Sequence, residues 1–170
     1  EQIKTLVLLL DYLKNKPHVA LIIKPHPGHK PGILESLIKN YSSQNIFLIN
    51  NKMLPYHALN ATDFIITKFS IIGFDAMYLG RPVISAIFDK EKKFEAYQDA
   101  AEYIYTPELL RKLINHLMED DNYKLQWTKN LNYHATKLLE KFDNKKSISP
   151  YELAADEIDS LLNQKLYVSS

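Results

Sequence analysis

Two short stretches of the chain combine residue types suited to binding an anion. In "KFSIIGFDA", residues 68–76, a lysine and a serine precede an apolar helical pattern, and Gly73 and Asp75 follow within it. A serine at a helix start accepts one of the otherwise unpaired N–H groups of the first turn. The same geometry turns the N–H groups of Ile71, Ile72 and Gly73 toward an anion such as phosphate, with the positive end of the helix dipole behind them. Lys68 adds a mobile positive charge beside Ser70. Gly73 costs about 1 kcal/mol of helix stability relative to Ala. It therefore marks a close approach, by a ligand, by a neighbouring strand or by tight helix–sheet packing. Asp75 either complements the helix dipole from an exposed face or accepts the two hydroxyls of a ribose, as an acidic residue does elsewhere in dinucleotide-binding folds. Together these residues point to a nucleotide more strongly than each does alone.

The second stretch is "KPHPG", residues 24–28. Pro25 and Pro27 fix φ on both sides of His26, so the imidazole loses little entropy on meeting a ligand. A His held in this way can donate to a phosphate or sugar oxygen, and as a cation it offsets the charge of a leaving group. Lys24 and Gly28 share this turn and are counted with the phosphate-binding set. The alternative is a stiff surface turn with no ligand. Metal ligation is disfavoured, because His29 is too close in sequence to complete a site and no other His or carboxylate stands at ligand spacing.

The elements that must position these residues alternate in period. Apolar residues recur at helical spacing over residues 2–16, ending before Pro17, and the run "VALII" at 19–23 reads as a buried strand. A helix over 33–41, a strand over 45–49, a short helix over 54–61 and a strand over 63–67 follow. The helix of the opening stretch covers 70–79, with strands over 82–88 and 102–106 after it. Helices are expected over 107–120, 123–142 and 150–166, with 143–149 as an exposed linker. Apolar strands alternating with helices predict an α/β fold, a doubly wound and mainly parallel sheet of Rossmann type with C-terminal helices. Its domain is expected over 1–145, with residues 146–170 packing on it as a terminal helix. In such sheets ligands sit beyond the carboxyl ends of the strands, where both stretches fall. Two further loops fall there. Met53, Leu54 and Tyr56 of "MLPY" are placed to pack on a base, or else form the rim of a small core helix. Asp89 and Glu91 of "DKEKKFEAY" are placed to touch a sugar, or else belong to a solvated loop.

Bulk properties narrow the classes. The 170 residues suffice for one domain with a core, and 46% hydrophobic with 24% charged residues is the ordinary globular range. A net charge of +1 gives no basic surface for coating nucleic acid. The absence of cysteine excludes disulfides and thiolate metal sites, and no apolar run reaches the length of a membrane span. The first residue is Glu1, so a preceding segment is expected.

The two stretches in order, with "TD" before a strand and then S-x-x-G-F-D-A-x-x-x-G-R-P-V from Ser70 to Val83, resemble the C-terminal half of GT-B glycosyltransferases. The likeness is to bacterial surface-polysaccharide enzymes: the capsule Kdo transferases and the polymerases related to CDP-glycerol glycerophosphotransferase. The hydrolysing UDP-N-acetylglucosamine 2-epimerases share the architecture. They carry consecutive glycines where this chain has "FSII" and paired carboxylates where it has Phe74 and Asp75, which favours a transferase. The teichoic-acid polymerases more often show two serines where only Ser70 stands, and "GFDA" is nearer the Kdo-transferase group.

The resemblance implies that His26 faces the donor phosphate or sugar as the catalytic group, that Ser70 and the amides after it hold phosphate, and that Asp75 meets ribose. The donor would be CMP-, CDP- or UDP-linked, an activated sugar or CDP-glycerol bound as substrate, with no cofactor and no metal. The general base and acceptor site would lie on an N-terminal partner domain expected to precede this chain. The implied location is cytoplasmic, at the inner face of the membrane, with peripheral association of the full-length protein compatible with it. A C-terminal domain of an epimerase-like enzyme and a non-catalytic nucleotide-binding module are the alternatives.

Overall fold

The computed structural model describes residues 2–14, 16–26, 32–41, 45–49, 54–68, 70–88 and 96–143. The chain opens with helix α1, Gln2–Leu13, then strand β1, Leu21–Ile23, helix α2, Ile33–Lys39, and strand β2, Ile46–Leu48. Helix α3, Pro55–Asn60, leads to strand β3, Ile65–Thr67, helix α4, Ile72–Tyr78, and strand β4, Val83–Ala86. A 3₁₀ turn, Gln98–Ala100, precedes strand β5, Ala101–Ile104, and helices α5, Pro107–Glu119, and α6, Asp121–Asp143, complete the described elements. The expected terminal helix over 150–166 and the linker before it lie outside the described residues.

Among the described residues every strand pair is parallel, and the strands form two sheets, β1–β2 and β3–β4–β5. This is the expected Rossmann-like layering, with the difference that the strands do not hydrogen-bond as one sheet among the described residues. Helix α1 joins the two halves by packing. Its Leu6 and Leu10 meet Leu34 and the partly buried β1 and β2 side chains, while Leu8, turned about 200° away on the helix, enters the core formed by β4, β5 and α5. Burial on two faces explains the unbroken apolar run "LVLLL".

The three-stranded sheet is covered on both faces, and its side chains divide with the period of two that a strand imposes. Ile66, Ile84, Ala86 and Ile104 face α5 and the first half of α6, where Trp127 and Leu131 are buried. Ile65, Val83, Ala101 and Tyr103 face α4 and the second half of α6, where Ala135, Leu138 and Leu139 close the core. Strand β4, buried along its whole length, is the centre.

Element boundaries moved where a polar residue found a better use than the ladder. Thr106, expected at the end of a strand, instead caps α5: its Oγ1 accepts the Leu109 N–H at 3.2 Å. Asp120 likewise accepts the Tyr123 N–H at 2.9 Å, which starts α6 two residues earlier than the apolar spacing suggested.

Candidate functional site

The corner after β3 is built from backbone held by buried side chains. Ser85, wholly buried on β4, donates its hydroxyl to the Lys68 carbonyl at 2.5 Å. Two residues on, the Tyr97 hydroxyl accepts the Ser70 N–H at 2.7 Å and donates to the Ser70 carbonyl at 2.5 Å. Tyr97 comes from the segment between β4 and β5 and is 1% exposed. Ser70 itself is exposed. Burial pushes the Tyr97 phenol up to about 12, against the lowering effect of its bond to Ser70, so the hydroxyl keeps its proton at neutral pH.

The Ser70 side chain caps weakly, its Oγ taking the Ile72 N–H at 3.4 Å, while its carbonyl takes the Gly73 N–H at 2.9 Å. Of the three amides expected to face an anion, those of Ile72, weakly, and Gly73 are thus bonded within the turn, which leaves that of Ile71. Helix α4 starts at Ile72 and has seven residues. So short a helix has a small dipole. Gly73 is buried, and a Cβ there would stand 2.4 Å from the Tyr97 ring. The close approach that Gly73 marks is therefore made by a tyrosine arriving from the β4–β5 connection.

The "GRPV" end of the same motif is scaffold. Gly80 adopts φ 65°, the left-handed conformation that ends α4, and the Gly80 and Arg81 N–H groups return to the Met77 and Ala76 carbonyls at 2.9 and 2.8 Å. Arg81 donates to the Asn60 carbonyl at 3.1 Å, tying α3 to this turn, and Pro82 is buried as β4 begins.

The other expected site residues are placed as follows. Asp75 lies in the first turn of α4 and is partly buried. Lys24 and Pro25 are partly buried just after β1, and His26 is exposed beyond them. His26 therefore belongs to the two-stranded sheet, whereas Lys68, Ser70, Ile71, Ile72, Gly73 and Asp75 gather on the three-stranded one. Leu54 and Tyr56, 64% and 56% exposed, flank the start of α3, whose Leu59 does the packing against α4. Gly28, Met53, Asp89 and Glu91 lie outside the described residues. Sequence reasoning missed Tyr97 and Ser85. An isolated Ser inside an apolar run and a Tyr ending a charged loop carry no local signal for their long-range bonds.

Among the described residues no three His, Asp or Glu side chains cluster as metal ligands, and no helix is long and apolar enough to cross a membrane. Two open depressions, of about 570 and 560 Å³, lie elsewhere, one beside Leu8, Arg111 and His116, the other beside Asp99, Glu102 and His134.

The fold and the position of the corner define a Rossmann-like α/β domain of GT-B type, with polar residues gathered at the carboxyl ends of parallel strands. The chain belongs to the CDP-glycerol:poly(glycerophosphate) glycerophosphotransferase family, whose model matches residues 9–147. The match agrees with the glycerophosphotransferase side of the expected resemblance, and a corner with one serine is compatible with it. No curated protein sequence matches the chain. Among solved structures it is similar to a UDP-GlcNAc 2-epimerase from Neisseria meningitidis bound to UDP-GlcNAc, with a TM-score of 0.57 and 16% identity. That similarity covers 82% of this chain and 40% of the epimerase chain, so the chain spans under half the length of that protein. At such identity it is the fold that is shared.

Proposed function

We propose that this chain is the donor-binding part of a transferase that moves glycerol phosphate, or a sugar, from a nucleotide-activated donor to a surface polymer. Membership of the glycerophosphotransferase family over residues 9–147, a span holding both strand-end stretches, carries this reading. With CDP-glycerol as donor, a polymer hydroxyl attacks the phosphorus bearing the glycerol. The P–O bond of the diphosphate breaks, CMP leaves, and the hydroxyl proton passes to a base outside this chain. Lys68, the Ser70 hydroxyl and the Ile71 amide hold the diphosphate, the Ile72 amide joining them when it gives up its long bond to Ser70 Oγ, with Lys24 and Gly28 adding to it. His26 offsets charge on the departing CMP phosphate, Asp75 accepts the ribose hydroxyls, and Leu54 and Tyr56 offer apolar surface to the base.

Titration of the chain with CDP, CMP, CDP-glycerol, UDP, UDP-GlcNAc, GDP and ADP, followed by thermal shift, tests the reading. Cytidine nucleotides are expected to raise Tm most, and Ser70→Ala to abolish the rise with little effect on Tm without ligand. A preference for uridine nucleotides would favour the epimerase-like alternative. No response to any nucleotide would leave a binding module of another kind.

A further inference from the structure

We infer that Tyr97 is a positioning residue for the phosphate-binding corner, an assignment that rests on the donor-binding reading of Ser70. The tyrosine is itself fixed from several sides. Its N–H donates to the Tyr103 hydroxyl at 2.8 Å, and its carbonyl accepts the Ala100 N–H at 3.0 Å. Its ring meets the edge of Phe74 with centroids 5.2 Å apart and fills the space left by the missing side chain of Gly73. The next residue, Gln98, has φ 48°, a left-handed conformation that costs a residue with a side chain on the order of 1 kcal/mol. Such strain persists where the surroundings over-determine the backbone.

Packing alone does not ask for a hydroxyl at this position. Phenylalanine would fill the same volume but would leave the part-buried Ser70 N–H and carbonyl without this partner. What the phenol adds is direction. By taking the N–H and giving to the carbonyl of one residue, it fixes the planes of the peptides on both sides of Ser70. Those planes set where the Ile71 amide and the Ser70 hydroxyl point. Ser85 does the same for the Lys68 carbonyl from beneath. Donors fixed before the ligand arrives lose less freedom on binding, which is how preorganisation raises affinity.

The test is an NMR titration of this chain and its Tyr97→Phe variant with CDP, following backbone amides. The variant is expected to bind CDP about tenfold more weakly, the effect of losing well-placed hydrogen bonds. Its own spectral changes should be confined to residues 70–73 and 97–103. Equal CDP affinity in the two proteins overturns the role of Tyr97 while the donor-binding reading stands. Weaker binding accompanied by shifts throughout β4 and α6 also overturns it, because that marks general loosening. Failure of the unmodified chain to bind CDP removes both the reading and the inference. Should Tyr97→Phe not fold, Tyr103→Phe, which removes the hydroxyl that accepts the Tyr97 N–H, is expected to weaken CDP about threefold; unchanged affinity there overturns the role.

Discussion

The two parallel sheets carry the two halves of the candidate site, and they are built to different standards. Strand β4 is buried throughout, with helices on both faces, and the corner beside it is held by Ser85, Tyr97 and the Gly80 turn. Strands β1 and β2 have no fully buried residue, Phe47 is 52% exposed, and their core is built on Leu6, Leu10 and Leu34. The difference teaches that the corner after β3 is preorganised, while His26 stands exposed just beyond a lightly covered strand.

The largest effect that would sharpen or break this contrast is in stability. Ile84→Ala on β4 is expected to cost about 3–5 kcal/mol, the upper part of the range for core truncation, and Ile46→Ala on β2 about half as much. Urea unfolding of both variants decides it, and equal losses would erase the distinction between the sheets.

Next comes alkali. A phenol raised to about 12 by burial, against an unfolded value near 10, contributes stability in full below pH 10 and loses it as pH rises toward 12. Over that window the unmodified chain should lose roughly 2–3 kcal/mol more than Tyr97→Phe. Parallel stability curves for the two proteins would show that Tyr97 is not sealed from solvent.

Gly73→Ala follows, at about 1–3 kcal/mol, because the new methyl group must displace the Tyr97 ring. Calorimetry should show the loss, and a neutral outcome would mean that the ring yields and the corner is softer than described. Smallest is His26→Ala, within about 0.5 kcal/mol for an exposed residue. Its nucleotide affinity should nevertheless fall, and a large stability change would make the His26 turn structural.

Much of the architecture was legible because buried parallel strands and amphipathic helices write their periods into the chain. Several elements proved shorter than expected, and at Thr106 and Asp120 the boundary moved because each turned to capping, a choice set by one hydrogen bond each. The motif from Ser70 to Val83 was visible as a unit, but its division was not. Gly73, Gly80, Arg81 and Pro82 hold the scaffold, while Ser70 stands exposed and Asp75 partly buried at the corner. Gly73 shows why: the reason for it lies 24 residues away in Tyr97, and only folding brings the two together.

The most direct test of the central claim is the amide spectrum of the unmodified chain during titration with CDP. The corner is predicted to respond first, with saturable shifts at Ser70, Ile71 and Ile72 that disappear for Ser70→Ala. Shifts centred on the depression beside Arg111 and His116, or no shift at millimolar CDP, would contradict the assignment of this corner to the donor phosphates.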